Sequence, residues 1–440
     1  MKAERTMARR GFLAGAAKAA VVGAAAPYVL TSDALGAPGK APASERITMG
    51  FVGTGSHGVG MNLRSFLPNA DCQAVVVCDV DAGQARRAQA LVEKTYAARK
   101  RAGEFKGCAL TGDWREVVGR DDLDGVMVST PDHWHVPISL AAIRAGKDVI
   151  CEKPTLTIHE GRVLADTVER YGAVFQMSTE DRAVRVYHRM AELVRNGRIG
   201  RLRRIHVGLP SGPGGPGSAK PQPVPKELDY DMWLGPAPYV PYCPGRVRYH
   251  FRWVRDYSGG QLTDWGAHLV DTAQWGNDTE RTGPIEVEGE GKAHADGLYD
   301  TYHTYHVRYR YASGVEMHVR STGPSIRFEG TDGWLASNGW RGRLEASSPG
   351  LLKTVIGPEE IHLYTCPQGE HRNFLDCVKS RRDPYFPAEI GHRCCTVLHL
   401  GNIAMDLRKK LKWDPVAERF PDDPEANRML GRAMREPWGL

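Results

Sequence analysis

Asp264 and His268 lie four residues apart in the segment 259–271, and their side chains suit proton transfer. At this spacing we expect a helix that starts near Asp264 and presents both side chains, together with Asp271, on one face. An imidazole titrates near neutral pH, which suits general acid/base catalysis, and Asp264 can orient that ring or bind a substrate hydroxyl. The alternative interpretation makes Asp264 a helix cap and His268 a packed core residue.

A turn far upstream has the glycine spacing that binds a dinucleotide. The apolar run 47–52 leads directly into a G-x-G-x-x-G pattern. The first glycine of such a pattern permits a tight turn, the second lets the backbone approach a pyrophosphate, and the third lets the helix pack on the strand. We therefore predict a dinucleotide-binding turn formed by Gly53, Gly55, Ser56, His57 and Gly58.

Asp79 follows the next apolar run, 74–78, at the position where an acidic side chain meets the ribose hydroxyls of a bound dinucleotide. Because a carboxylate repels a 2′-phosphate, Asp79 favours NAD over NADP as the cofactor, and Asp81 adds little to this argument. The alternative is a surface turn followed by an aspartate that merely caps a strand.

Polar residues close two further strand runs, at the sheet edge where ligands of parallel sheets bind. Lys153 follows the run 148–151, and Pro154 biases it towards an extended conformation that ends the strand and directs the amine into the cleft. A half-buried lysine beside a nicotinamide cation can have its pKa lowered enough to act as a proton relay. The alternative is a solvated lysine at a strand end. For His133 and His135 we expect no metal, since no nearby cysteine or carboxylate completes a ligand set.

The order of apolar runs predicts an α/β protein with two sheets. Runs at 47–53, 74–79, 125–129, 148–151 and 174–177 alternate with helical patterns. This alternation predicts a Rossmann-type, doubly wound parallel sheet with helices on both faces. Successive strand patterns from 285 to 344 predict a large, open, mainly antiparallel sheet, and 389–412 reads as a helix. We divide the chain into a signal and linker (1–43), a dinucleotide-binding domain (44–175), a substrate and oligomerisation domain (176–388) and a C-terminal helix and tail (389–440).

The first 43 residues resemble a twin-arginine export signal. Arg9-Arg10 precedes an Ala/Gly-rich segment with candidate cleavage sites at 34–36 and 41–43, although Ala8 and Ala14 depart from the usual pattern. Lys18 interrupts the apolar run, which disfavours a membrane anchor. Twin-arginine export carries folded proteins, so a chain with bound dinucleotide could leave the cytoplasm intact. We expect a periplasmic or otherwise extracytoplasmic protein with no membrane association after signal removal.

The composition is that of an ordinary globular protein, with 440 residues of which 41% are hydrophobic and 25% charged. The net charge of +6 is misleading, because residues 1–43 hold six basic and two acidic residues and the remainder carries only +2. Nothing in this charge balance favours nucleic acid or an acidic membrane as a partner. The nine cysteines form no C-x-x-C pair, so we expect buried free thiols.

Taken together, these motifs resemble the Gfo/Idh/MocA oxidoreductases, NAD(P)-dependent enzymes that act mainly on sugars and polyols. The resemblance covers residues 46 to about 410 and rests on the glycine turn, Glu152-Lys153-Pro154 and the D-x-x-x-H of Asp264 and His268. It implies a homo-oligomer that associates through the C-terminal sheet. It also implies catalytic roles for Lys153, Asp264 and His268, and positions along the nicotinamide side for Thr130, Pro131, His135 and Glu152.

Two enzymatic functions remain open at this point. An exported dehydrogenase cannot exchange NADH with a soluble pool, so a tightly bound cofactor must be regenerated in place. One function is oxidation of a sugar, polyol or glycoside hydroxyl, with a second substrate that reoxidises the cofactor. The other is redox-neutral glycoside cleavage, in which oxidation, elimination, water addition and re-reduction occur in one turnover. A binding protein that kept the fold without the chemistry is a third possibility, disfavoured by the presence of Lys153 and His268.

Overall fold

Six short runs of mostly buried residues form the first sheet. Its strands are β1 (Ile47–Val52), β2 (Cys72–Cys78), β3 (Ala109–Thr111), β4 (Gly125–Val128), β5 (Asp148–Glu152) and β6 (Phe175–Ser178). All neighbours are parallel, in the order β3-β2-β1-β4-β5-β6. The strand order reverses between β1 and β4, and ligands of such sheets bind in a crevice beyond the carboxyl ends of the strands at that point. The predicted parallel sheet is confirmed, whereas β3 escapes prediction because its residues are mainly exposed.

Helices connect these strands and cover the sheet. A π-helical segment, Gly58–Leu63, leads into the first short helix. The helices of this half are α1 (Arg64–Phe66), α2 (Ala82–Thr95), α3 (Ala97–Arg101), α4 (Trp114–Val118), α5 (Asp132–Arg144) and α6 (Ile158–Tyr171), and α7 (Arg185–Arg195) follows β6 and leads into the second half. Helix α6 begins at an N-cap, Thr157, whose hydroxyl accepts from the Glu160 amide, and ends at left-handed Gly172.

The second sheet has eight strands and is antiparallel except for one pair. Its strands are β7 (Leu202–Gly208), β8 (Glu286–Lys292), β9 (Thr304–Arg310), β10 (Glu316–Arg320), β11 (Ser325–Gly330), β12 (Trp334–Asn338), β13 (Leu344–Ala346) and β14 (Leu411–Lys412). They lie in the order β13-β12-β11-β7-β10-β9-β8-β14, and only β7 and β10 run parallel. The predicted mainly antiparallel sheet is confirmed.

The second sheet keeps a row of exposed side chains, as on β9, and the second half of the described chain adds seven α-helices. They are α8 (Tyr230–Leu234), α9 (Gln261–Asp264), α10 (Gly266–Gly276), α11 (Pro349–Lys353), α12 (Glu370–Ser380), α13 (Ala388–Leu407) and α14 (Pro424–Arg428). Helices α10 and α13 contact the sheet directly. The predicted helix 389–412 is too long, because Arg408 adopts a left-handed conformation and residues 411–412 pair with β8 instead.

The computed structural model describes residue 42 and residues 45–440, so the predicted export signal lies outside the described residues. Residues 46–440 form one compact unit that holds both sheets, and the domain boundaries at 175 and 388 stay predictions. All nine cysteines are buried and unpaired, as expected. Within the described part of the chain, no helix is long and apolar enough to cross a membrane.

Candidate active site

The glycine turn after β1 has the geometry of a dinucleotide cradle. Gly53 has φ +85°, and a Cβ there would lie 2.5 Å from the Ser129 carbonyl. A Cβ on Gly58 would lie 2.1 Å from the Gly53 oxygen, so neither position tolerates a side chain. Gly55 is less enclosed, since a Cβ would meet only the Gln84 amide oxygen at 3.3 Å. Two glycines therefore close the turn, and the third leaves backbone accessible to a ligand.

A buried carboxylate, Glu152, joins the end of β5 to this turn. It accepts hydrogen bonds from His57 Nε2 at 2.9 Å and from Asn62 Nδ2 at 2.8 Å. Burial would raise the pKa of Glu152, but the bond and charge of His57 and the charge of Lys153 lower it to about 2. The same hydrogen bond raises the pKa of His57. Two residues predicted to bind cofactor thus form an ion pair at the crevice.

Asn62 belongs to this network although the sequence motif does not include it. It is fully buried on the π-helical segment and also donates to Ser129 Oγ at 2.9 Å. A π-helical turn adds a residue to the helix and is frequent at functional sites. The hydrophobic periodicity of a regular helix carries no signal for such an insertion, which is why sequence reasoning misses Asn62.

Asp79 braces the turn from the end of β2. Its Oδ2 accepts from the Thr54 amide at 2.7 Å, and its Oδ1 accepts from the Asp81 amide at 2.8 Å. Burial raises the pKa of Asp79. Asp81 caps α2 by accepting from the Gly83 and Gln84 amides. The contact between Asp79 and ribose stays a prediction. The structure shows instead that Asp79 supports the glycine turn through its hydrogen bond with the Thr54 amide.

Lys153 and Asp264 form a buried ion pair between β5 and α9. Lys153 Nζ lies 2.7 Å from Asp264 Oδ1 and 3.0 Å from the Asp264 carbonyl oxygen. Burial acts to lower the pKa of Lys153, but the carboxylates of Asp264 and Glu152 outweigh it and raise that pKa above its usual value. The expected lowering of the Lys153 pKa is therefore wrong for this arrangement. That expectation included a nicotinamide cation beside the lysine but not the carboxylates of Asp264 and Glu152.

Arg252 is a second cation on Asp264. Its Nε donates to Asp264 Oδ2 at 2.9 Å, so each carboxylate oxygen of Asp264 has its own cationic partner. Burial opposes ionisation, yet the charges of Lys153 and Arg252 hold the pKa of Asp264 far below its usual value. The sequence does not predict this contact. Arg252 lies in a run of aromatic and basic residues, and its separation of 12 residues from Asp264 matches neither a helical nor a strand repeat.

His268 lies on α10, one turn beyond the pair. The predicted single helix starting near Asp264 is wrong in detail, because Asp264 ends α9 and His268 belongs to α10. His268 Nδ1 lies 3.1 Å from Thr179 Oγ1 and 3.5 Å from Asp181 Oδ2. Burial, followed by the charge of Lys153, lowers the pKa of His268 despite these neighbouring carboxylates. The imidazole is therefore neutral at pH 7 and able to accept a proton.

The surroundings of His268 come from segments that sequence reasoning does not connect to it. Thr179 and Asp181 follow β6, and Trp340 reaches the site from the hairpin between β12 and β13. Trp340 Nε1 donates to Asp181 at 3.3 Å, and its ring centroid lies 6.0 Å from that of His268. Asp271, predicted to share a face with His268, instead pairs with buried Arg182 at 2.7 Å.

The segment after β4 is mainly structural. His135 bridges two loops, with its Nδ1 2.7 Å from the Pro154 oxygen and its Nε2 2.8 Å from the Thr130 oxygen. His133 contacts the Trp233 carbonyl at 2.9 Å. Pro131 is the N-cap residue of α5, and the Thr130 hydroxyl is buried without a hydrogen-bond partner. A ligand in the crevice can satisfy that hydroxyl, as expected of a residue on the cofactor side.

Models of two protein domains match almost the whole described chain. Residues 47–179 match the NAD-binding Rossmann fold of an oxidoreductase family, and residues 213–440 match the C-terminal alpha/beta domain of that family. The chain belongs to the Gfo/Idh/MocA oxidoreductase family. Its N-terminal part is therefore the NAD-binding Rossmann domain of that oxidoreductase family.

Individual Gfo/Idh/MocA relatives agree with this assignment. "Glycosyl hydrolase family 109 protein 1" of Shewanella sp. (strain ANA-3) is 31% identical over 134 residues, which are 30% of this chain and 28% of the relative. An "alpha-N-acetylgalactosaminidase" of Shewanella oneidensis is 29% identical over 37% of this chain and 34% of its own length. These matches span about a third or less of the curated relatives. The crystal structure of GenD2 from gentamicin A biosynthesis in complex with NAD has a TM-score of 0.61 at 19% identity, covering 85% of this chain and 98% of GenD2.

Proposed function

We propose that this protein is an exported NAD-dependent oxidoreductase that acts on a hydroxyl of a sugar, polyol or glycoside and retains its cofactor. One observation carries the proposal. A charged amine, Lys153, is held 2.7 Å from Asp264, and the neutral imidazole of His268 lies on the next helix. Oxidation of an alcohol needs a proton acceptor for the hydroxyl and a donor that stabilises the developing alkoxide. The site contains one group of each kind.

The turn and the strand ends suit NAD. The Gly53–Gly58 contact closes a cradle that no side chain can enter, and the Thr130 hydroxyl lacks an internal partner. NAD, when bound, would supply the acceptor for a hydride from the carbinol carbon. We assign binding to the residues of the turn, with Asp79 at the ribose and with Glu152 and His57 at the crevice.

His268 is the proposed base. The carboxylate of Asp181 and the hydroxyl of Thr179 favour a proton on Nδ1, which leaves the lone pair on Nε2. Nε2 takes the hydroxyl proton as the carbinol carbon loses its hydride, so that the substrate becomes a ketone or aldehyde. Lys153 remains protonated throughout and donates to the substrate oxygen, while Asp264 fixes the lysine and Arg252 fixes Asp264.

Export is the second part of the proposal. It is supported by Arg9-Arg10, the Ala/Gly-rich segment and the candidate cleavage sites in residues 1–43. Outside the cytoplasm no soluble pool renews the cofactor, which is the reason for proposing that NAD stays bound between turnovers.

A redox-neutral glycosidase is the second candidate, favoured by the names of the curated relatives. In that scheme the ketone acidifies the neighbouring C–H, a base removes that proton, the glycosidic oxygen leaves, water adds and the hydride returns. The net reaction is hydrolysis with no change of cofactor oxidation state. Incubation of the purified protein with aryl glycosides, without added cofactor, distinguishes the candidates. Released phenol without accumulated reduced cofactor supports the glycosidase, whereas reduced cofactor without phenol supports the oxidoreductase.

A further inference from the structure

A cavity of about 250 Å³ is lined by residues that lie close in the chain to the proposed catalytic residues. Its walls come from both halves of the protein, including Leu156, Ser258 and Gly259, and from the C-terminal segment that holds Arg428 and Arg432. Leu156 lies three residues after Lys153, and Gly259 lies five residues before Asp264. The segments that carry the catalytic ion pair therefore continue into the walls of this cavity.

Two guanidinium groups at this cavity lack acidic partners. Within residues 45–440, no carboxylate lies within 4 Å of the Arg428 or Arg432 guanidinium, and Arg432 donates to the Arg255 carbonyl oxygen. The third arginine, Arg255, is neutralised by Asp406, which lies 2.7 Å away and also accepts from Tyr302. The cavity thus has at its rim two exposed arginines without an ion pair among the described residues.

Three carboxyl groups act on Arg432 from beyond ion-pair distance, namely those of Glu160, Asp256 and Asp300. Buried Glu160 interacts with Arg432, but burial raises the pKa of this carboxyl to about 7, so a large share of it is neutral near neutral pH. Glu160 Oε2 already accepts from the Leu156 amide. The start of the 14-residue helix α6 at Ile158 also lines the cavity and adds a positive dipole end.

A buried hydroxyl in the wall has no partner. Thr301 is 3% exposed, its Oγ1 makes no hydrogen bond, and the residue lines the cavity beside Gly260. Buried hydroxyls normally find an acceptor, so this donor is an independent indication that the cavity receives a ligand oxygen. Asn402 stands on the same wall and donates to the Gly259 oxygen.

We propose that this cavity binds a small molecule carrying an oxyanion, namely a carboxylate, phosphate or sulfate group held by Arg428 and Arg432. The ligand spans the segments that follow Lys153 and precede Asp264, and its binding stabilises the folded enzyme. The site lies apart from the glycine turn and from the substrate hydroxyl, so it is additional to the proposed function and does not depend on it.

The test is a calorimetric titration of the NAD-saturated holoenzyme with sulfate, glycerol phosphate and gluconate in separate arms at constant ionic strength. Saturating NAD prevents the probes from occupying the pyrophosphate position in the glycine turn. We expect saturable binding of at least one probe and a higher melting temperature in its presence. The double variant R428Q/R432Q should bind that probe at least about tenfold more weakly, since it loses two charge-assisted contacts.

Arg203→Gln provides a matched control, because Arg203 is exposed on β7 and has no ion pair among the described residues. It should bind the probe as the wild type does. Thr301→Val tests the same site without altering charge and should also weaken binding, which keeps the proposal testable if the double arginine variant does not fold. Absence of saturable binding in all three arms overturns the proposal. So does binding that survives both the arginine and the threonine variants.

Discussion

At the scale of single residues, neighbouring charges decide which group we propose as the base. A lysine at a strand end is a candidate relay by position alone, but Lys153 faces two carboxylates that hold it protonated. His268 is buried beside Lys153, and both effects lower its imidazole pKa. The structure therefore favours a division of labour in which His268 accepts the proton and Lys153 supplies charge.

Removal of either group should slow the chemical step and spare cofactor binding. We expect His268→Ala and Lys153→Ala each to lower turnover by about 10²-fold or more, the usual scale for a positioned acid or base. The double variant should be little worse than either single variant, because groups that act as a unit are strongly non-additive. Turnover on an identified substrate and dinucleotide content after denaturation are the two measurements. Full turnover by His268→Ala would show that His268 is a packed core residue and not a catalytic base.

The pH dependence of kcat/KM should report the state of His268. A base must be unprotonated, so activity falls as the pH drops through its pKa, and burial places that limb below the usual value of 6.5. The charge of Asp181 raises the His268 pKa, and Asp181→Asn should therefore move the limb to still lower pH. If the acidic limb of the kcat/KM profile does not move in Asp181→Asn, the limb does not report a His268 imidazole that interacts with Asp181.

At the scale of elements, the ends of four parallel strands, β1, β2, β5 and β6, each place one part of the site. The turn after β1 forms the cradle, β2 supplies Asp79, β5 supplies Glu152 and Lys153, and β6 leads into Thr179. Asp79 supports the cradle by accepting from the amide and the hydroxyl of Thr54, so its contribution to binding has a positioning component besides any contact with ribose.

The purified protein should contain bound dinucleotide, mostly NAD. Asp79→Ala should weaken binding by about 1–3 kcal/mol, because backbone donors of the turn lose their acceptor. Mass spectrometry of the supernatant after denaturation identifies the dinucleotide, and titration of the stripped variants measures affinity. Asp79→Asn keeps an acceptor oxygen and serves as the matched control. Recovery of NADP alone would contradict the argument from Asp79.

Sequence reasoning succeeds where the signal is local. The glycine turn, the parallel strands and the positions of Lys153 and Asp264 follow from short motifs and apolar periodicity. Sequence reasoning fails where two residues in contact are distant in the chain. Thr179, for example, contacts His268 across 89 residues. The parallel pairing of β7 with β10 and the pairing of β14 with β8 are equally non-local. The π-helical segment that contains Asn62 is missed for a different reason. It breaks the regular 3.6-residue period on which helix prediction depends.

At the scale of the whole molecule, export and self-association remain proposals with direct tests. Replacement of Arg9 and Arg10 by lysine should retain the protein in the cytoplasm, because lysine lacks the planar guanidinium that arginine presents for recognition. Cell fractionation of the wild type and the double variant measures this. Unchanged export of the variant would indicate another pathway.

The open face of the second sheet is the proposed oligomer contact. Strand β9 alternates exposed and buried residues, so one side chain row faces the helices and the other remains uncovered. Light scattering coupled to size exclusion should give a mass above that of one chain. A monomer at all concentrations would contradict association through this face.

The central claim is that Lys153 and His268 carry out redox chemistry on a sugar-type hydroxyl with retained NAD. The most direct test follows the near-ultraviolet absorbance of reduced nicotinamide in the purified holoenzyme, mixed with a panel of aldoses, polyols and glycosides and assayed in parallel for released aglycone. We expect at least one compound to reduce the bound cofactor or to be cleaved, with His268→Ala slower by about 10²-fold or more at unchanged NAD content. Inertness of the NAD-loaded enzyme towards the entire panel, or an equally fast reaction in His268→Ala, would contradict the account.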